Sequence, residues 1–332
     1  MRRRIIKQGH NTLTVTLPSE WTKKLNIQAG DEIEVIERED ALLLNGFERS
    51  RDKKVTIDLE GLTVPLLWRF FQGAYRSGCD EIKINLSKNS KKYEDPYHYY
   101  TSQFDYSELG EKFDTKPTLV AIQNLVDRFV GMEILDVEDS FIIVKEMGEL
   151  TTKEFDNSLR RIFLVIFQFF DRIIEAIEKD EIKDINLCKD LHTIDLNIDR
   201  FVDYCCRILN KINTSFPEKN KSLLFSTLYI LELLGDEFKY IGKHLAVSKK
   251  PVKDVLPLAY KVKEHFEIYY KMFYKYNREE AIKFGINDKG IYSEHHKYKN
   301  VLTGESRSIA RHLMLISKFV WSLGELRIEM EF

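Results

Sequence analysis

The sequence predicts a multidomain protein: a small β module at the amino terminus, a small α+β domain in the middle and an all-α helical bundle over the carboxy-terminal half. Three patterns carry this expectation. Apolar and polar residues alternate from Thr12 to Leu17, strand-like and helix-like stretches succeed one another between Lys53 and Leu150, and from Thr151 onward apolar residues recur every three or four positions. The expected boundaries are 1–48, 52–150 with a polar insertion at 87–117, and 151–332.

In the first module Leu13, Val15 and Leu17 alternate with Thr12, Thr14 and Thr16, the period of a strand with one buried face. Pro18 ends that strand and suits the first turn of a helix, where its missing N–H is not needed. Ser19 to Leu25 then gives a short helix with Trp21 and Leu25 on one face. Gly30-Asp31 makes a turn, and Ile33 with Val35 opens a second alternating strand. The order of these residues, from Thr12-Leu13 through Leu17-Pro18, Trp21, Leu25, Ile27 and Gly30-Asp31 to Val35, resembles the swapped-hairpin domain of AbrB/MazE/SpoVT transcription factors. That resemblance implies an intertwined homodimer through residues 1–48, which fits a piece too short to close a core by itself.

Charge is lopsided within the module. Arg2, Arg3, Arg4, Lys7, Lys23 and Lys24 come early, and Asp31, Glu32, Glu34, Glu37, Glu39 and Asp40 come late. The whole chain has a net charge of −2, so it is not a uniformly basic nucleic-acid binder and any DNA contact must be local. In a paired module the basic parts of both chains line one face, with Asn11, Thr12 and Thr14 adding short hydrogen-bonding side chains for phosphates or base edges. The alternative is a solvated arm on a domain that only dimerises. Relatives often carry arginine two residues into this strand where this chain has Thr14.

The middle domain reads β-α-β-α-β-β. Val55-Thr56-Ile57 is a strand, Leu62 to Ser77 a helix closed by Gly78, Glu81 to Leu86 a strand, and Leu119 to Val130 a helix closed by Gly131. Glu133 to Glu138 and Phe141 to Lys145 form a hairpin turning at Asp139-Ser140. The insertion gathers Tyr93, Tyr97, Tyr99, Tyr100 and Tyr106 around His98, with Lys88, Lys91 and Lys92. It reads as a surface insertion, or as a stacking platform for single-stranded nucleic acid.

In the bundle, Phe155, Leu159, Ile162, Ile166, Phe169, Ile173 and Ile177 trace one long helix. Leu191, Ile194, Ile198, Phe201, Cys205, Ile208 and Ile212 trace a second, and Leu224, Leu228, Leu231, Leu234, Phe238, Ile241 and Leu245 a third. Val252 to Lys283 and Ser306 to Glu331 supply two more, separated by a polar stretch from Gly285 to Gly304. Short connections near Asp180–Asp184 and Phe216–Asn220 make successive helices antiparallel.

Asp195, Asp199 and Asp203 repeat at four-residue spacing on the second of these helices, as do Glu232 and Asp236 on the third, so each set stacks on one face. Two such helices side by side offer oxygen ligands to a hard cation. The bland alternative is a solvated face, with Asp203 paired to Arg207, and Lys239 and Lys243 serving the third helix. A three-helix unit with such motifs, and with Leu231-Glu232-Leu233-Leu234-Gly235-Asp236 on its third helix, resembles PhoU, the phosphate-uptake regulator. The resemblance implies metal ligation by Asp195, Asp199, Glu232 and Asp236, with Asp203 as a further candidate, for magnesium, manganese, iron or zinc. The last helix keeps a single acid at Trp321-Ser322-Leu323-Gly324-Glu325, so a second full cluster is not expected.

Other classes find no support. Cys79, Cys188, Cys205 and Cys206 have neither metal-binding nor disulfide-framework spacing and read as buried thiols in a reducing cytoplasm. Arg2-Arg3-Arg4 is followed by no apolar run, so no signal peptide is expected. The longest apolar run, Ile162 to Phe170, is far short of the ~20 residues that span a bilayer. No Ser/His/Asp order or glycine-rich phosphate loop suggests an enzyme, and His295-His296 reads as surface. The expected function is therefore a dimeric regulator of phosphate uptake that binds promoter DNA and senses through its helical half. The alternative is an adaptor whose hairpin only dimerises and whose bundle contacts a phosphate transporter ATPase or a signalling kinase.

Overall fold

The computed structural model describes residues 2–9, 11–38, 41–45, 53–86, 117–148, 150–212, 218–298 and 300–332. It divides into two compact units, Met1–Lys53 and Lys54–Phe332. The expected tyrosine-rich platform, up to residue 116 of the 87–117 insertion, and the expected Phe216–Asn220 connection up to residue 217 lie outside the described residues.

In the first unit β1 (Ile6–Gln8) pairs antiparallel with β2 (Thr12–Thr14), and α1 (Ser19–Lys24) follows directly on Pro18. β3 (Glu34–Arg38) pairs antiparallel with β4 (Ala41–Asn45). The alternation from Leu13 to Leu17 predicts a strand with a buried face, but β2 stops at Thr14, and Leu13 and Val15 stand 67% and 49% exposed. The reason is physical: a ribbon of three-residue strands in a single chain has no second layer to bury that face against.

The second unit opens with a sheet of order β5-β6-β8-β7. β5 (Lys54–Asp58) lies parallel to β6 (Glu81–Asn85) and is joined to it through α2 (Val64–Arg76), whose first turn is capped by Thr63. Gly78, at φ 83°, turns the chain out of α2, a conformation that suits a residue without Cβ. α3 (Thr118–Val126) leads to β7 (Met132–Val137), and β8 (Phe141–Glu146) closes the sheet antiparallel to both β7 and β6.

Five long helices of the bundle then follow the apolar periodicity, beginning with α4 (Thr152–Glu178), whose Thr151 and Glu154 form a reciprocal capping box. α5 (Ile185–Lys211) starts at Asp184, which accepts from the Asn186 N–H, and packs beside α6 (Glu218–Val247). α7 (Leu256–Tyr274) and α9 (Gly304–Glu329) complete the set. Aromatic rings fill the centre: Phe238 stacks on Phe169 at 4.9 Å and takes Phe170 edge-on at 4.7 Å. Two glycines of α6 admit α5 closely, because a Cβ at Gly235 would collide with Asp195 Oδ1 and one at Gly242 with Leu191.

One expected boundary is corrected. The helix expected from Val252 to Lys283 breaks after Tyr274, and the polar stretch expected to separate helices is itself largely α8 (Arg278–Tyr298). Asn277 starts α8 by accepting the Glu280 N–H at 2.9 Å, a competent cap inside an otherwise helical pattern. α8 then runs through Gly285 and Gly290 and buries only Phe284, Ile291 and Glu294, too thin an apolar stripe to read as a helix.

The sheet layer is bolted to the bundle by α5. Arg207, wholly buried, donates to the carbonyls of Tyr75 and Cys79 at 2.7 and 2.9 Å and to Glu146 at 3.0 Å, while Lys211 pairs with Asp80 and Glu146. No described helix is long and apolar enough to cross a membrane, and all four cysteines are buried free thiols. Arg207→Ala leaves two buried carbonyls and a carboxylate without their donor, and is expected to lower unfolding free energy by about 3–5 kcal/mol. Thermal and urea melts of the full chain test this; a loss below about 1 kcal/mol would show that the bolt contributes little.

Candidate functional site

The hairpin unit displays its expected DNA-contacting residues at the surface. Arg2, Arg3, Arg4, Lys7, Asn11, Thr12, Lys23 and Lys24 are exposed, and none of the six cations is ion-paired with another described residue. Thr14 is half-buried and its hydroxyl donates to the Ile6 carbonyl at 3.2 Å, which turns it away from solute contacts. The register pairs Lys7 with Leu13 and Gln8 with Thr12, so Lys7 and the threonines occupy opposite sides of the ribbon. No described side chain of this unit is buried. Ile5, Ile6, Leu13, Val15, Val35 and Leu42 each expose about half or more of their surface, an apolar area unusual for a lone soluble unit.

The acidic residues of the bundle come together between α5 and α6, each with a different fate. Asp195, only 2% exposed, pairs through Oδ2 with Lys239 at 2.5 Å, and Lys239 also reaches Asp236 at 2.8 Å. Asp203, equally buried, accepts from Arg76 of α2 at 2.5 Å and from Gln72 at 3.0 Å. The other arm of Arg76 holds Glu232 at 2.8 Å. Asp199 sits between these pairs, and among the described residues no cation lies within ion-pair distance of it.

The electrostatics follow from this placement. Burial pushes the Asp203 carboxyl up to about 6, against the pull of Arg76 and with the push of Glu232. Burial raises Asp195 as well, with Lys239 opposing and Asp236 adding. Asp199 is raised well above the usual carboxylate range by burial first, then by Asp195 and Glu232. Burial alone would weaken the Lys239 ammonium, but Asp195, Asp236 and Asp199 hold it charged above the ordinary lysine range.

The resemblance to PhoU implies an ion at this place. As the side chains stand, Lys239 holds Asp195 and Asp236 and Arg76 holds Asp203 and Glu232, which leaves Asp199 alone of the expected ligands without a cation; among the described residues no group of three or more His, Cys, Asp and Glu is arranged to hold an ion. Only Asp195 Oδ1 is left buried without a hydrogen-bond partner, and it faces Gly235. The arrangement therefore does not fit an ion unless a fixed cation is displaced. Sequence reasoning paired Lys239 with its own helix, which holds for Asp236, but it missed Arg76, which takes Asp203 in place of Arg207.

Residues 6–54 match the family model of the MazE bacterial antitoxin, described as antidote-toxin recognition. The hairpin unit is thus a MazE-like domain, of the kind that suggests a DNA-binding or antitoxin-type regulator. The match covers a small part of the chain and leaves the sheet layer and the bundle unassigned. No curated protein and no solved structure matches the chain.

Asp199 gives a prediction with a definite sign. Its folded-state pKa lies above its unfolded value, so its penalty on stability is full above the folded pKa and fades as pH falls through it. Asp199→Asn is expected to stabilise the full chain by on the order of 1 kcal/mol at pH 8 and to change little at pH 4. Thermal melts across pH test this, and a loss of stability at pH 8 would show that the ionised carboxylate is needed.

Proposed function

We propose that the chain is a dimeric DNA-binding transcriptional regulator. Two copies share the hairpin unit, and the PhoU-like helical half senses or relays phosphate status. The observation that carries the reading is a MazE-like unit in which, among the described residues, no side chain is buried and Ile5, Ile6, Leu13, Val15, Val35 and Leu42 each expose about half or more of their surface. A second copy supplies the missing interior by burying Ile6, Leu13, Val15, Val35 and Leu42, each such side chain contributing about 1.5–3 kcal/mol when fully covered. Pairing also doubles Arg2, Arg3, Arg4, Lys7, Lys23 and Lys24, which concentrates positive charge locally in a chain that is acidic overall. The phosphate role rests on the likeness of the α5 and α6 acid motifs to PhoU.

The family description favours a second reading, an antitoxin-type module whose apolar surface receives a toxin protein instead of a second copy. The two separate in one pair of measurements on the full chain: mass by light scattering, and binding to a pool of genomic duplex fragments as salt is raised. The regulator runs as a dimer and binds with a steep salt dependence. Lys23→Ala with Lys24→Ala flattens the slope by about one per phosphate contact removed. Leu13→Asp yields monomers and abolishes binding. A monomer at high concentration, or no binding at low salt, removes the regulator; a dimer without binding leaves the adaptor.

A further inference from the structure

Helices α6 and α9 carry the same short pattern, Glu237 followed seven positions on by His244, and Glu305 followed seven positions on by His312. Seven positions are about two turns, so Glu and His share a face on each helix. The helices cross antiparallel, which sets each glutamate opposite the other helix's histidine. His312 Nδ1 meets Glu237 Oε2 at 2.6 Å, and His244 Nδ1 meets Glu305 Oε2 at 2.6 Å. The two imidazole centroids are 5.2 Å apart with planes tilted by 33°, and Tyr240 stacks on His312 at 5.2 Å.

In each pair the carboxylate takes the Nδ1–H, which fixes the tautomer and leaves the Nε2 lone pair available, as in a histidine readied for a metal. Among the described residues neither Nε2 makes a hydrogen bond, and neither is among the buried, unsatisfied atoms. Two imidazoles bound at 2.0–2.1 Å to one tetrahedral ion have centroids roughly 5 Å apart, which is the spacing found. Glu237 and Glu305 bring two negative charges, matching one dication, with Arg311 the neighbouring cation that bears on His244. Burial holds His244 below the ordinary histidine range despite Glu305. The side chain of His312 is 7% exposed, that of His244 21% and that of Glu305 32%, so solvent reaches the cluster at the His244–Glu305 end.

We propose that His244 and His312 form a site for one borderline divalent transition-metal ion of the Zn²⁺, Ni²⁺ and Cu²⁺ class, bound through both Nε2 atoms. Glu237 and Glu305 orient the rings and water completes the shell, leaving the site open. Imidazole suits this class of ion, whereas the oxygen-only ladder of α5 and α6 suits harder ones. The ion ties α6 to α9.

The test uses the full chain stripped of metal by chelation, titrated with Co²⁺ by visible absorption and with Cu²⁺ by electron paramagnetic resonance. One equivalent is expected to bind, with hyperfine structure from two nitrogens. His244→Ala and His312→Ala each remove the two-nitrogen signal and weaken binding at least tenfold. Glu237→Gln weakens it by about 10–100-fold, because the ring loses its orienting acceptor. If a histidine variant fails to fold, the nitrogen count of the unsubstituted protein decides. Absence of saturable binding, an oxygen-only spectrum, or binding that survives the histidine substitutions overturns the proposal.

Discussion

The second unit depends on burying a row of carboxylates, and that is tolerable only because two fixed cations reach them. Asp195 and Asp203 are almost wholly enclosed, and an isolated buried carboxylate costs far more than any single contact in a bundle returns. Lys239 from within α6 answers one end, and Arg76 from the sheet layer answers the other. The second answer has an architectural consequence. Because Arg76 bridges Asp203 and Glu232, α2 is held against α5 and α6 together, and the sheet cannot leave without exposing the row or stranding it. Arg207 and Lys211 repeat the device from the opposite direction, reaching from α5 to Glu146 and Asp80 of the sheet layer. Buried pairs of this kind are weak sources of net stability and strong sources of register, since a misplaced helix leaves a charge unmatched.

The hairpin unit obeys the opposite logic. None of its described residues is buried, and their regular structure amounts to two short ribbons and one helix. Its apolar residues alternate as strand residues do, and their exposure records what a single chain lacks. On the proposed reading, such a unit places its free energy of folding in association, and any charged face it presents belongs to the assembled pair.

Much of this was legible in the sequence, where the signal was local. Apolar periodicity located α4, α5, α6 and α9, and Gly78, Asp139 and Ser140 marked turns that the chain makes. The break before α8 was not legible, because Met272, Phe273, Tyr276, Ala281 and Phe284 keep a helical rhythm across Asn277. The acid row was visible as spacing, yet its partners were not. Arg76 lies 127 residues from Asp203, and nothing in the composition of α2 distinguishes that arginine from a solvated one. The histidine pairs show the same limit: Glu237 and His244 look like ordinary surface choices until α9 brings Glu305 and His312 alongside.

The two polar clusters of α6 therefore differ in what they leave open. On the α5 side, oxygen ligands are abundant, but Lys239 holds Asp195 Oδ2 and Asp236 while Arg76 holds Asp203 and Glu232, so an ion entering beside Asp199 competes with groups that cannot diffuse away. On the α9 side there are fewer donors, yet the carboxylates satisfy only one nitrogen of each ring and leave the other unbonded. Competition with a tethered cation is severe because its effective concentration is high, whereas displacing loosely held water is not. Available ligand atoms, and not the total number of acidic side chains, decide where such a helix accepts an ion.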